Sequence, residues 1–442
     1  MSGLLLLSET WQAQHRPPLC ELIGIFGYQE QHSTDMLSGA LGLAMRKAHE
    51  WRGDLKTSVL SADVKSAFDN VKPAILARAL QSDGLHPHLI RCIIGEQLYL
   101  QARASLQGTD GDIICYNASM RQGGVESAWG FNAIARMVIR SAMTCWVASG
   151  AIGLELPLVR SLTHAIWADN FYLMGRDLHD LALLFRGVTE GLHEAGLRWK
   201  ADSLEFWTAD TSSSIIMQYW HPEEGLKDFK QVEEIQILGV LHCPAEPAKS
   251  VDFRLDKASD AFWSMRDFFL CKSVGARQKC SEFRKRILPV ALYGACAWQW
   301  TSGLWRKLRA WENTFLKLMI TASKGFGESW QEFMRRHVVT ARKAYHEDGG
   351  LGVAARGLKS YYDNALNAMR KFGEQLVQSV GCPFWPAWQA WHTALTKLRE
   401  GRFSVTSGGV PSASLCALGS VILIRDVEWW RLRQATGTIA DP

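Results

Sequence analysis

HAIWADNFYLMG, His164 to Gly175, sets two apolar runs on either side of the small polar group Ala168-Asp169-Asn170. Short runs rich in β-branched and aromatic residues around such a group predict a buried hairpin with its turn at the polar pair. The Asp169 carboxylate then sits at the tip of a hydrophobic β-unit. Burying a carboxylate is costly unless a cation meets it, so metal binding is one reading of this acid. An ordinary Asp-Asn turn is the other, and the stretch alone leaves both open.

The rest of the chain bounds what such a hairpin can serve. Its 442 residues are 47% hydrophobic, enough for one large core or two to three smaller ones. A soluble globular protein is expected. Leu4 to Leu7 is short and lacks a basic flank, so neither export nor membrane spanning is expected, and the location is expected to be intracellular, nuclear or cytoplasmic. Ten cysteines are scattered without a CxxC pair or a Cys/His cluster, which fits buried thiols in a reducing compartment. The 19 tryptophans are expected mostly as interior filling. The net charge of +5 hides a local excess: residues 251–345 hold 18 Lys and Arg against 8 Asp and Glu. Helices carrying that excess suit a phosphate-tracking surface or a solvated charged face.

Taken in order, Ser33 to Trp51 keeps a helical stripe, and Thr57 to Asp63 is a β-run that ends in an acid. Pro73 can open the next helix. His88 to Gln101 reads as a helix, and Ala102 to Asn117 as two strands around a Gly108-to-Gly111 turn. Arg121-Gln122-Gly123-Gly124 then enters a helix running to about Trp146, and its glycines let a ligand approach backbone amides. After the hairpin come a helix from about His179 to Ala195 and short strands near Leu204 to Trp207, Ile215 to Trp220 and Ile235 to Leu241. Helices follow at Phe253 to Leu270, Ala276 to Leu292 and Trp305 to Ile320, with a domain boundary near residue 250. Trp385 to His392 and Glu428 to Arg433 are expected as packing helices.

Asp63 and Asp169 lie 106 positions apart, so only adjacent strands of one sheet could bring them together. Two acids so placed can hold two divalent ions about 3.5 to 4 Å apart, the arrangement that in-line nucleotidyl transfer needs.

These segments, in this order, resemble a reverse transcriptase of the non-LTR retrotransposon (LINE-type) family from about Gly27 to Trp300. ADVKSAFDNV, Ala62 to Val71, is similar to the family's first catalytic motif; RQGGVES, Arg121 to Ser127, to its RQGxxxSP; and IWADNFYLM, Ile166 to Met174, to the hairpin whose core is usually Tyr-Ala-Asp-Asp. Weaker likenesses are GYQEQHSTD at Gly27, ILGVL at Ile237 as a Leu-Gly turn, and LPVALYGACAW at Leu288 as a thumb motif. The resemblance implies an α+β fold, a polymerase palm of antiparallel sheet and packed helices, followed by a helical thumb. It assigns 27–250 to partial fingers and palm, 251–345 to a basic thumb, and 346–442 to a helical extension, after a poorly patterned segment 1–26. It implies RNA-directed DNA polymerase activity with Asp63 and Asp169 as ligands of Mg²⁺ (or Mn²⁺) and Asn170 as a weakened third catalytic position. It places Phe68 at the sugar, Gln122 and Gly123 at the nucleotide, and Arg121, Arg284, Lys285 and Arg286 on nucleic acid. The partners it implies are an RNA template, a DNA primer and dNTPs, with no membrane.

The chain departs from that pattern where chemistry is done. Asn170 stands for the family's second acid, Ala128 for a proline, and Ser203 for the lysine of GLxxNxxKT, with Lys200 three positions early. A palm-thumb piece of a longer element is expected, without an endonuclease domain or full fingers. The alternatives are an impaired or inactive nucleic-acid-binding remnant and an RNA-copying or maturase-like palm.

Overall fold

The computed structural model describes residues 27, 33–50, 57–98, 101–115, 120, 124–156, 159–210, 216–221, 225–298, 302–347, 351–357 and 360. Expectations for residues 1–26, for Arg121, Gln122 and Gly123, and for Trp385 to His392 and Glu428 to Arg433 lie outside them. The chain divides into two compact units, Met1–Leu37 with Met45–Ile235, and Ser38–Ala44 with Gln236–Pro442.

The helix α1 (Thr34–Glu50) precedes strand β1 (Ser58–Asp63), which ends on the acid as expected. Pro73 opens α2 (Pro73–Ser82), and α3 (Pro87–Leu98) follows. That helix stops short of the expected Gln101, because Gln101 opens the hairpin β2 (Gln101–Leu106) and β3 (Thr109–Cys115). The long α4 (Val125–Ser149) ends on Gly150 in the left-handed region, a common helix stop. Next come β4 (Leu154–Leu156), β5 (Val159–Leu162), β6 (His164–Trp167) and β7 (Asn170–Gly175). Then α5 (Leu178–Glu194) is capped by the Asp177 carboxylate, which accepts from the Asp180 amide at 2.9 Å. The strands β8 (Glu205–Thr208), β9 (Gln218–His221), β10 (Gly225–Asp228) and β11 (Lys230–Gln231) complete the first unit.

Five of these strands form one mixed sheet in the order β11-β8-β1-β7-β6, with β1 central. Alternation sorts its residues. Leu60 and Ala62 share a face with their cross-strand partners Leu173, Phe171 and Phe206, all buried in one core with Leu181, Leu184 and Val188 of α5 and Phe131, Ile134 and Val138 of α4. Burying a side chain of this size contributes about 1.5–3 kcal/mol, so apolar packing on this face helps hold the hairpin. Ser61 and Asp63 belong to the opposite face, with Tyr172, Asn170 and Glu205 beside them.

From Ile235 on, the chain continues with a hairpin, β12 (Ile235–Ile237) and β13 (Val240–His242), turning through Leu238 and Gly239, both at positive φ. Helices follow: α6 (Ala248–Ser264), α7 (Arg266–Phe269), α8 (Ala276–Glu282), α9 (Leu288–Leu292), α10 (Ser302–Met319) and α11 (Trp330–His346). The single helix expected from Phe253 to Leu270 breaks at Met265, and the one from Ala276 to Leu292 contains a π-turn at Phe283–Ile287. Pro289 has no N–H to give the Lys285 carbonyl, which accounts for the widened turn just before it. Two segments singled out in the sequence meet here. The Tyr293 hydroxyl donates to the Leu238 carbonyl at 2.7 Å, and Arg254 lies over the Tyr293 ring while donating to the Gly239 carbonyl. Gly294, at φ +76°, lets the chain approach Val240, where a Cβ would meet a methyl carbon at 2.4 Å.

Glu312 lies at the centre of this helical unit, fully buried, and accepts from the Val353 amide at 2.8 Å. Burial pushes its carboxyl up to about 7 despite the Arg342 guanidinium 3.6 Å away. The folded value exceeds the unfolded one, so stability is fullest below the ordinary glutamate range and falls as pH rises toward about 7. The loss expected across that window is about 3 kcal/mol. Glu312→Gln, which keeps an acceptor for Val353, is expected to flatten the curve of melting temperature between pH 4.5 and 8. A variant with the parent's pH slope would show that another group sets it.

Candidate active site

Asp63, the last residue of β1, is the direct cross-strand partner of Asn170, the first residue of β7. Asp169 precedes it in the turn, and its carbonyl accepts from the Val64 amide at 3.0 Å. Sheet register thus brings together two acids that the sequence separates by 106 positions. The turn is tight: Trp167 pairs with Asn170, leaving only Ala168 and Asp169 between the strands, and Ala168 takes φ +54°. A non-glycine residue there costs about 1–2 kcal/mol, which the buried strands on either side offset. Gly27 closes over the turn. Its amide donates to the Ile166 carbonyl at 3.2 Å, Asn132 donates to its carbonyl at 2.7 Å, and a Cβ on it would stand 2.4 Å from the Ala168 nitrogen.

A third segment borders the acids. Residues 198–203 run beside the end of β1: Lys65 donates to Arg198 at 2.8 Å, Val64 bridges Trp199, and Lys200 donates to the Asp63 carbonyl at 2.8 Å. Trp199 fixes that segment, since it is fully buried, donates to Thr189 Oγ1 at 2.8 Å and packs edge-on against Phe171. Ser203, which stands where the family resemblance would put a lysine, accepts from the Asp63 amide at 2.9 Å and donates to the Lys200 carbonyl at 2.7 Å. Nothing in the local sequence announces this backbone role. A serine three residues after a lysine gives no sign of which distant amide it will meet.

The electrostatics follow from this packing. Burial, and then the Asp169 carboxylate, raise the Asp63 carboxyl above its ordinary value; the Lys200 ammonium opposes the rise, and Glu205 adds to it. A buried carboxylate held above its ordinary value beside a second one is a place that a cation would relieve. Asn170 acts on the same balance, since its side-chain Nδ2 donates to Asp169 Oδ1 at 3.1 Å. With the nitrogen turned to Asp169, the amide oxygen remains as a neutral ligand.

Among the described residues, no group of three or more His, Cys, Asp or Glu side chains could hold a metal. The donors present are two carboxylates, Asp63 and Asp169, and the Asn170 amide oxygen. That all-oxygen set fits a hard dication of the magnesium type, which takes one or two carboxylates and completes its shell with water and substrate phosphates.

Phe68 is half-buried, its ring 5.2 Å from Phe131, and its carbonyl accepts from the Met120 amide at 2.7 Å. The loop after Asp63 is therefore tied to the residue preceding Arg121. In the helical unit, Arg284 points inward, donating to the Tyr345 carbonyl at 3.1 Å and lying over that ring. Lys285 and Arg286 are exposed and pair with Glu282 at 3.6 and 2.8 Å.

Residues 24–242 match the model of the reverse transcriptase (RNA-dependent DNA polymerase) family. No curated protein matches the chain. Among solved structures it is similar to telomerase from Candida albicans in complex with the TWJ fragment of telomeric RNA, at 11% identity and a TM-score of 0.38, over 86% of this chain and 57% of that one. Apo telomerase from Candida tropicalis matches at 10% identity and a TM-score of 0.39, over 86% and 60%. The chain therefore spans less than two thirds of the length of these structures.

Proposed function

We propose that the reverse transcriptase domain present over residues 24–242 is the palm of an RNA-directed DNA polymerase of a LINE-like retroelement. In this reading 27–250 supply partial fingers and palm, 251–345 a basic thumb, and 346–442 an extension. The reaction is nucleotidyl transfer from a dNTP to a primer 3′-hydroxyl, templated by RNA. The observation that carries it is the Asp63–Asn170 register pair, which sets the carboxylates of Asp63 and Asp169 at one sheet end.

Asp63 and Asp169 would hold Mg²⁺ or Mn²⁺, with the Asn170 oxygen as a neutral third donor. When bound, such ions lower the pKa of the attacking hydroxyl and neutralise the triphosphate. The chain's own residues set the stage. Gly27 and Asn132 brace the hairpin turn, Ser203 and Lys200 hold the backbone of Asp63, and the Lys200 ammonium adds positive charge beside the acids. Gln122 and Gly123 would line the nucleotide, and Phe68 would lie under its sugar, where a ring collides with a 2′-hydroxyl. Phe68→Ala is expected to raise rNTP incorporation relative to dNTP by roughly tenfold or more, the range set by losing about 1–3 kcal/mol of steric discrimination. A variant that discriminates as well as the parent would remove Phe68 from that role.

A second reading has its own support. Because Asn170 donates to Asp169, the site partly satisfies its own charge, as expected of a palm that keeps binding and has lost chemistry. Primer extension with the purified chain on an RNA template, in Mg²⁺ and separately in Mn²⁺, separates the two. Product in either ion supports the polymerase. No product in both, with primer-template binding retained, leaves the binding remnant.

A further inference from the structure

The loop between α10 and α11, residues 320–329, has no part in the site above, yet it is built with care. Arg336 grips Glu328 through two hydrogen bonds of 2.8 Å and reaches the Ser323 carbonyl at 2.7 Å. Glu328 in turn accepts from the Gly325 amide at 2.8 Å, and the Arg336 guanidinium and that amide hold its carboxyl down at about 2. Ser329 and Glu332 close a capping box that starts α11. The tip of this braced turn is Phe326, between two glycines, and it is fully exposed. Four residues on, Trp330 opens α11 with 66% of its surface exposed.

The Phe326 ring in water contributes nothing to folding, and a turn this heavily hydrogen-bonded holds it out rather than letting it collapse, while Trp330 rests against Phe333 at 5.4 Å and keeps most of its surface in water. The surrounding charge says what the rings meet. The two acids of this loop and helix are engaged locally, Glu328 by Arg336 and Glu332 by the helix N-terminus, whereas Lys324, Arg335 and Lys343 are exposed on the same loop and helix. The whole segment 251–345 carries ten more basic than acidic residues. Exposed rings interleaved with basic side chains suit bases that stack and phosphates that pair.

We infer that this loop is a stacking platform for single-stranded nucleic acid, with Phe326 and Trp330 as the rings and Lys324, Arg335 and Lys343 as the phosphate contacts. The inference rests on the polymerase reading for which strand arrives there, and on the loop itself for the binding.

The test is fluorescence anisotropy of the full chain with a labelled 12-nucleotide RNA and with the same strand made abasic. Phe326→Ala and Trp330→Ala are each expected to weaken binding of the normal strand roughly five- to a hundredfold, as expected for the loss of one stacked base. Phe326→Tyr is expected to bind like the parent, and the abasic strand is expected not to distinguish Phe326→Ala from the parent. Arg335→Ala is expected to reduce the slope of log affinity against log salt by about 0.7. Phe326 is wholly exposed, so its loss leaves folding intact, which circular dichroism checks. Unchanged affinity of Phe326→Ala and Trp330→Ala, an equal loss on the abasic strand, or no RNA binding by the parent each overturns the platform; a protein that loses its grip only on the alanine variants then becomes the partner. A chain that shows the stacking loss but extends no primer overturns the polymerase reading and leaves the platform standing.

Discussion

Asp63→Asn is expected to lower primer extension about a thousandfold or more while leaving the protein as stable as the parent, or more so, at pH 8. The first half follows from charge: a full negative charge would disappear beside the dications proposed for this site, and a loss of about 4 kcal/mol in a barrier corresponds to roughly a thousandfold in rate. The second half follows from the folded site. Burial and Asp169 raise the Asp63 carboxyl above its ordinary value, so its ionised form opposes folding at pH 8, and a neutral amide removes that opposition. The backbone bonds to Ser203, Lys200 and the hairpin do not involve the carboxylate and survive the change. Measured together, extension rate and melting temperature separate a lost ligand from a lost fold. Parental extension by this variant would remove Asp63 from the site; lost extension with a collapsed melting temperature would assign Asp63 a structural role instead.

Asn170→Asp carries the second large effect, in the opposite direction. The substitution places a third carboxylate opposite Asp63 and beside Asp169, and it removes the hydrogen bond from Asn170 Nδ2 to Asp169. Without metal, the bond is worth about 1 kcal/mol and like charges directly opposite add to the loss, so the melting temperature is expected to fall. With Mg²⁺, three carboxylates bind the ion more tightly than two and an amide. The melting temperature is then expected to rise with metal concentration, by the linkage that rewards a ligand of the folded state alone. Extension is expected to rise roughly ten- to a thousandfold, since a charged partner in such a site is worth several kcal/mol. A variant whose stability ignores Mg²⁺ and whose extension stays at the parental level would show that position 170 does not face the metal. That pair of measurements also grades the natural chain, because the size of the gain is what Asn170 costs it.

Local pattern made much of this architecture readable. The run from Thr57 to Asp63 is legible as a short β-run that ends in an acid, and Pro73 starts a helix because its fixed φ and missing N–H suit a first turn. The Leu-Gly turn implied by the family resemblance is present at Leu238 and Gly239, but it splits the single strand expected from Ile235 to Leu241 into a hairpin. Other features needed the folded chain. Glu312 looks like any acid on an amphipathic helix, yet packing leaves it wholly buried. Ser203 resembles a solvent-facing serine, and only the approach of Asp63 gives it a bond. Lys200, three positions from where the family resemblance would place it, has its charge felt at Asp63 because buried Trp199 fixes the segment beside β1.

By itself the sequence determined the short β-run that ends in Asp63, the apolar runs on either side of Asp169 that bury their strands, and the absence of a second acid at Asn170. These are properties of neighbours in the chain, which local sterics and the cost of exposing apolar surface decide. Tertiary structure alone decided that Asp63 faces Asn170, that Asn170 donates to Asp169, and that Ser203 and Lys200 border the pair. Strand register depends on how buried faces of distant segments fit, and a shift of one residue would have carried Asp63 to the core face with Leu60 and Ala62.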